Sequence, residues 1–230
     1  MTTGELEKAR WVRGMFEGIA GRYDLLNHLL SFNLDKRWRA RTVKRVSKLL
    51  VPGATVLDLC CGTGDILFAL EGRGAHVIGS DFCHPMLVVA QRKNPASTLL
   101  EADALNLPLR SESLDLITCA FGFRNLANYD YALAELLRVL KPGGVAAILE
   151  FSQPTNRMFG AVYGFFSTRV LPWVGGMVSG SREAYSYLPE SIKKFPGAPD
   201  LAAQMQRAGF KRVEFERMTG GAVALHLGYK

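Results

Sequence analysis

Asp58, Cys60, Cys61, Gly62, Gly64 and Asp65 fall within ten residues, VLDLCCGTGD (56–65). Such residues serve a metal site, a redox pair, a nucleotide loop or a tight turn. The chain has four cysteines, Cys60, Cys61, Cys83 and Cys119. None forms a CxxC, and none of the four histidines stands at a zinc-like spacing from them. No metal site is therefore expected, and a reducing cytoplasm is the economical compartment. Gly62 and Gly64 let the chain turn and let backbone approach a ligand. A helix following them aims its free N–H groups at the same place. The dinucleotide pattern GxGxxG fails at Leu67, and the GKS or GKT ending of a phosphate loop is absent. The glycines alone leave a bare turn open.

The carboxylates narrow the choice. Asp58 lies inside an apolar strand pattern and Asp65 just after the loop. Acids there suit a ligand end carrying an amino group and a sulfonium charge better than a pyrophosphate. Asp81 ends the next strand pattern, where a carboxylate accepts both hydroxyls of an adenosine ribose. Asp103 ends the third, within reach of an adenine amino group; a helix cap is its plainer reading.

These residues need strands and helices to bring them together. Strands are expected over 55–60, 75–81, 97–103, 114–121 and 145–151, with helices over 65–74, 84–94, 131–144 and 201–210. The segments 211–218 and 221–229, joined by Thr219–Gly221, read as a closing antiparallel hairpin. The fold class is α/β: a doubly wound, mostly parallel seven-stranded sheet with a C-terminal antiparallel hairpin. Ligands in such sheets sit beyond the carboxyl ends of the strands, where strand order reverses. With 230 residues, 48% hydrophobic and 21% charged, the chain reads as one soluble globular domain, without an 18-residue apolar run or a secretory signal. Residues 1–50 hold eleven Lys/Arg against five Asp/Glu, most of the net +7. In KRWRARTVKRVSKLL, Trp38, Val46 and Leu49 recur at helical spacing. That stretch is an amphipathic helix, an anionic-membrane contact or a nucleic-acid contact.

VLDLCCGTGD, followed by GSD and EADALNLP, resembles the class I S-adenosylmethionine-dependent methyltransferases. The resemblance implies S-adenosylmethionine as cofactor and S-adenosylhomocysteine as product. It implies that Asp58 and the loop Gly62, Thr63 and Gly64 hold the methionine end. Asp81 then takes the ribose, and Asp103 with Ala104 the adenine side. Phe82 and Phe121 complete that set, and the cysteines become loop residues.

Longer stretches are similar to the ubiquinone/menaquinone biosynthesis C-methyltransferases: MFEGIAGRYDLLNHLLSFNLDKRWR (15–39), FGFRNLANYDYALAELLRVLKPGG (121–144), LEFSQP (149–154) and YSYLPESIKKFP (185–196). That resemblance implies a prenylated quinol as methyl acceptor: demethylmenaquinol, and in some members also the benzoquinol precursor of ubiquinone. It places Arg124 and Asn125 at the chemistry. Arg124 would stabilise a developing phenolate or position a water, and Asn125 would orient the ring. Tyr23 would touch cofactor or quinol, and Phe16, Tyr185 and Tyr187 would border the acceptor, with Glu190 beside them. His28 is a candidate base, equally explained by packing.

The single domain, 1–230, is then expected to carry an N-terminal helical cap over about residues 1–50 and an inserted lid over about 155–198. The apolar lid and the basic residues 36–48 would hold a cytoplasmic enzyme peripherally at the inner face of the membrane, by contact with anionic lipid. The lid serves a homodimer equally well. Without an Asn/Asp-Pro-Pro-aromatic run, a nucleic-acid acceptor is not expected. An O-methyltransferase or lipid methyltransferase, an NAD-dependent oxidoreductase and a nucleic-acid-binding protein on an inactive fold are the alternatives.

Overall fold

The structure, a computed structural model, describes residues 2–156, 160, 164 and 182–230. Its sheet contains β1 (Thr55–Leu59), β2 (His76–Asp81), β3 (Thr98–Glu101), β4 (Leu114–Ala120), β5 (Leu140–Phe151), β6 (Arg212–Met218) and β7 (Val223–Tyr229). The order is β3-β2-β1-β4-β5-β7-β6. The first five strands pair in parallel, and β7 runs antiparallel between β5 and β6. The doubly wound sheet with its closing hairpin is thus as the sequence predicts. Strand order reverses between β1 and β4, so a crevice opens at their carboxyl ends.

Strand β1 shows why the sheet is covered on both faces. Val56 packs into one apolar cluster and Leu57 and Leu59 into the other, as the two-residue period of a strand demands. The Leu57 side contains Leu133 and Leu136 of α6 (Tyr129–Val139) and Leu201 and Met205 of α8 (Ala198–Ala208). The Val56 side contains Ile66, Leu67 and Leu70 of α4 (Asp65–Leu70) and Trp38, Val43 and Val46 of α3 (Leu34–Val46). The basic N-terminal stretch is therefore an amphipathic helix whose apolar stripe docks on the sheet.

Ahead of α3 lie α1 (Thr3–Ile19) and α2 (Tyr23–Leu30). A capping box starts α1: Thr2 accepts from the Glu5 amide and Glu5 from the Thr2 amide. After β2 comes α5 (His84–Lys93), with Pro85 in its first turn. The helix α7 (Arg182–Lys194) ends the segment expected to form a lid; 157–159, 161–163 and 165–181 of that segment lie outside the described residues.

Several boundaries differ from expectation: β3 ends at Glu101, so Asp103 lies just beyond it, α8 starts three residues early, and two others move by four or five residues. Helix α6 stops at Val139 and β5 starts at Leu140, although the pattern suggested helix to Gly144. Lys141 precedes Pro142, and a residue before proline is driven out of the helical region. Helix α4 ends at Leu70, four residues before Gly74, because Glu71 is extended and Gly72 and Gly74 take positive φ.

Candidate active site

At the carboxyl ends of β1 and β4 the backbone is bent sharply. Cys60 (φ 54°) and Phe121 (φ 60°) occupy the left-handed region that few non-glycine residues enter. The two turns press together: a Cβ on Gly122 would lie 2.3 Å from Cys60 Cβ, so only glycine fits there. Beyond them lies a cleft with about 770 Å³ of empty space, part of it open to solvent. A smaller recess runs from it under the glycine loop to Asp58 and Asp65.

Asp81 stands at the centre. Its two carboxylate oxygens accept from the Gly62 and Cys83 amides, each at 2.9 Å. Burial raises its pKa, and these amides pull the other way. Gly62, Phe82, Asp103, Ala104 and Phe121 also line the cleft, so most of the expected cofactor set converges there. Asp103 is exposed and accepts from the Leu105 amide, a local turn contact that leaves its second oxygen for a ligand. Thr63 lines the recess, and Gly64 (φ 96°) caps α4 beside it.

Asp58 is 2% exposed on β1, with the Thr118 hydroxyl donating to it at 2.7 Å. Burial pushes its carboxyl up to about 7. No ion pair reaches it among the described residues. A buried acid of that kind fits a ligand that brings its own positive charge, such as an ammonium and sulfonium. Contact with the Cys119 thiol, then burial, drives the Cys60 thiol well up, and burial does the same for Cys61. Neither is poised as a thiolate.

The N-terminal helices close over this cleft. Phe16 of α1 and Tyr23 of α2 line it, and Tyr23 also lines the recess. Burial raises the Tyr23 pKa, so its hydroxyl stays neutral. Polar contacts tie the helices down. Lys8 Nζ donates to the Leu126 carbonyl at 2.6 Å, Arg13 Nε to the Phe82 carbonyl at 2.8 Å, and Asn128 Nδ2 to Glu5 at 2.8 Å. The Thr63 hydroxyl donates to Asp24, whose other oxygen pairs with Lys93 of α5.

Arg39 is a residue that the sequence reasoning did not single out. It lines the recess on α3, 8% exposed, pairs with Asp35 and Asp65, and stacks over the Phe121 ring. A signal existed. Positions 35, 38, 39, 42, 43 and 46 are the buried stripe of α3, so Asp35 and Arg39 are an acid and a base on its core face. His28, Asp35 and Asp65 could gather round a metal ion, but Arg39 already supplies a cation to both acids.

The residues expected at the chemistry separate into two groups. Asn125 lines the cleft, and its Oδ1 accepts from the Tyr187 hydroxyl at 3.2 Å. Tyr187 packs edge-on to Trp11 of α1. The Arg124 guanidinium instead pairs with Glu150 at 2.9 Å and donates to the Phe121 carbonyl and to Ser191. It is 8% exposed, Glu150 is 1% exposed, and Arg124 does not line the cleft. A neighbouring carboxylate cancels the charge that a phenolate would need, so the geometry favours a structural pair. His28 is bonded to Asp35 at 2.8 Å and does not line the cleft or its recess. Glu190 is exposed and pairs with Lys194. The side chain of Tyr185 lies outside the described residues.

The sequence and the fold both have known counterparts. The profile of the ubiE/COQ5 methyltransferase family matches residues 3–230. The chain is 50% identical to a demethylmenaquinone methyltransferase of Thermus thermophilus, over 93% of this chain and 99% of that one. It is 41% identical to the ubiquinone/menaquinone biosynthesis C-methyltransferase UbiE of Brucella canis, over 98% and 87%. Among solved structures, an S-adenosylmethionine-dependent methyltransferase from Archaeoglobus fulgidus superposes with a TM-score of 0.67 at 15% identity, over 91% and 100%. The chain belongs to the ubiE/COQ5 methyltransferase family, and its fold is that of S-adenosylmethionine-dependent methyltransferases.

Proposed function

We propose that this methyltransferase places a methyl group on a ring carbon of a prenylated quinol, demethylmenaquinol, with the benzoquinol precursor of ubiquinone as the second ring to test. The observation that carries the reading is the division of the cleft. Buried carboxylates gather at the recess and the β2 end, where a cationic nucleoside fits. Neutral residues, Asn125 and Leu126, face the other end beside Tyr187. The names of the relatives supply the acceptor class.

S-adenosylmethionine supplies an electrophilic methyl group carried on a sulfonium. Asp81 receives the ribose hydroxyls, held in place by the Gly62 and Cys83 amides. Asp103 and Ala104 meet the adenine edge. Asp58 would offer its buried carboxylate to the ammonium, and Arg39, paired with Asp35 and Asp65, would fix the wall of the recess around the methionine end. Phe16 and Tyr23 roof the reacting centre and exclude water.

At the acceptor end, Asn125 and Tyr187 orient a ring hydroxyl. Burial raises the Tyr187 pKa, so it remains a donor. Water takes the hydroxyl proton, as no carboxylate or imidazole among the described residues lines the Asn125 end. Once the ring carbon carries the methyl group, that carbon's own hydrogen leaves as a proton and the oxygen is reprotonated, which restores the aromatic quinol. Arg124 is a positioning residue: its pair with Glu150 fixes the turn that aims Asn125. Much of the rate then comes from holding ring carbon and methyl group in line.

The same reading treats residues 1–230 as one domain, with 1–50 as cap and about 155–198 as lid, working in the cytoplasm at the inner membrane face. No helix among the described residues is long and apolar enough to cross a membrane.

The test is transfer of a labelled methyl group from S-adenosylmethionine to chemically reduced short-prenyl demethylmenaquinols and demethylated benzoquinols, located by mass spectrometry. Ring C-methylation of the naphthoquinol is expected, and methylation of both rings would extend the assignment to both pathways. O-methylation, or no transfer by protein that binds the cofactor, overturns the quinol C-methylation reading.

A further inference from the structure

Helix α1 reaches both ends of the cleft, and its two halves make different contacts. In its second half Arg13 meets the Phe82 carbonyl and Glu101, on the cofactor side. In its first half Glu5, Lys8 and Trp11 follow at three-residue steps, neighbours on the helix surface, and meet the acceptor side. Glu5 accepts from Asn128 at 2.8 Å, and Lys8 Nζ donates to the Leu126 carbonyl at 2.6 Å. Trp11 packs edge-on against Tyr187, with ring centres 4.9 Å apart. These partners flank Asn125, which accepts from the Tyr187 hydroxyl.

Asn125 sits in a single short turn, Phe123–Asn125. The Asn125 and Leu126 amides close it by donating to the Gly122 and Phe123 carbonyls, at 3.0 and 3.1 Å. One tight turn is weak by itself. Side chains brace its carbonyls instead. Arg124 donates to that of Phe121, and the Tyr129 hydroxyl donates to that of Arg124 at 2.9 Å. Both of these braces are local, from three and five residues away. Lys8 is 118 residues from Leu126 along the chain, so its bond ties the turn to the cap.

A lysine on a helix surface ordinarily carries its ammonium out to water. Lys8 is half-buried, its ammonium 5.4 Å from the centre of the Tyr129 ring, and no carboxylate pairs with it among the described residues. Burial lowers its pKa, and nearby Lys194 lowers it further. A charged donor binds a carbonyl more strongly than a neutral one. The desolvated charge is thus directed at fixing Leu126.

We propose that Lys8 is a positioning residue for the methyl acceptor: through the Leu126 carbonyl it sets the turn that presents Asn125, while Trp11, one turn on, supports Tyr187. The inference rests on the quinol reading for the identity of the acceptor. Lys8 does not line the cleft. It acts by holding Asn125 and Tyr187 at the spacing that grips one ring hydroxyl, where a small displacement costs much of the rate.

The experiment is steady-state methylation of a short-prenyl demethylmenaquinol by the full chain, with cofactor affinity read by calorimetry and amide exchange by mass spectrometry. Lys8→Met keeps the aliphatic stem and removes the donor. It should lower kcat about ten- to a hundredfold, with S-adenosylmethionine affinity unchanged. Lys8→Arg keeps a charged donor and should restore most of the rate. In an Asn125→Ala background Lys8→Met should cost little more, because the two act through one contact. The Asn125 and Leu126 amides of Lys8→Met should exchange faster while β1 and β4 keep their protection. A parent-like kcat in Lys8→Met, or its full loss added on top of that of Asn125→Ala, overturns the proposal. So does a matching loss of cofactor affinity, which would make Lys8 a fastener of the whole cap. Should the parent methylate no quinol, the acceptor reading falls and the exchange decides alone. Faster exchange in Lys8→Met then upholds the hold of Lys8 on the turn, and unchanged exchange removes it.

Discussion

In the sheet, Val56, Leu57, Leu116 and Leu149 are wholly buried, and each strand is fixed to its neighbours by ladders of backbone bonds. On α1, only Val12 and Ile19 are buried among 17 residues, and the helix is held by side chains reaching loop carbonyls. Burying a leucine contributes about 1.5–3 kcal/mol, whereas a pair as exposed as Asp24–Lys93 contributes about 0–1 kcal/mol. The two halves of the site therefore differ in rigidity. The sheet half is shaped before any ligand arrives, through Asp58 and Asp81. The cap half, with Tyr23 and Phe16, is fastened by contacts that break one at a time. A buried cofactor needs such an arrangement, because something must open to admit it and release the product.

The sharpest break of this comparison is at the Arg124–Glu150 pair. Removing one member leaves an uncompensated buried charge, so Arg124→Ala or Glu150→Ala should each cost about 3–5 kcal/mol in urea denaturation. Replacing both with apolar residues should cost far less. A mild loss of stability in Arg124→Ala with a large loss of rate would instead return Arg124 to the chemistry.

Next in size is Asp81, the sheet's own contact. Asp81→Asn should weaken S-adenosylmethionine binding about a hundredfold by calorimetry. Arg39→Gln, on the cap side, should weaken it about tenfold. Unchanged affinity in the second variant would mean that the sheet half binds the cofactor unaided.

Asp58 gives the comparison a pH dependence. Its folded pKa is raised from 3.8 to about 7, so the folded chain holds a proton there that the unfolded chain has lost. Its contribution to stability is thus full below about 3.8 and fades as pH rises through about 7. A cationic ligand favours the ionised carboxyl. Cofactor affinity should therefore rise with pH, up to tenfold per unit, and level off above about 7. Asp58→Asn should flatten that profile; a slope that survives in this variant assigns the titration elsewhere.

The smallest effect is expected at the latch. Asp24→Ala releases both Thr63 and Lys93, yet should change global stability by no more than about 1 kcal/mol. Amide exchange over α1 and α2 should quicken while β1 and β4 keep their protection. Equal acceleration in the sheet would show that cap and sheet open as one unit.

What the sequence revealed follows the same division. Strands β1, β2 and β4 were readable almost to the residue, since a strand buried on both faces is a short apolar run bounded by turns. Asp81 was equally plain, an acid at a strand end beyond a glycine loop. Arg39 was legible only in part: helical spacing puts it on the core face of α3, but the crossing of α3 to the glycine loop is a long-range contact that spacing does not encode. Glu150 was missed for a different reason. It is an acid in the apolar run VAAILEF, the same anomaly as Asp58, and its burial required a cation that Arg124 supplies. The position of β7 between β5 and β6 was also beyond local pattern, since a hairpin joins the edge of a sheet in either order.

The antiparallel course of β7 has a practical consequence. Tyr229 lies opposite Val145, the first residue of β5 to pair with β7, and the Lys230 amide donates to the Gly144 carbonyl. The last residue therefore emerges at the amino ends of the parallel strands, on the far side of the sheet from the cleft. Thr2, by contrast, begins the helix that roofs it. An affinity handle or surface tether fused after Lys230 leaves the mouth of the cleft clear, while one fused before Thr2 crowds it, and an immobilised assay should be built from the former end.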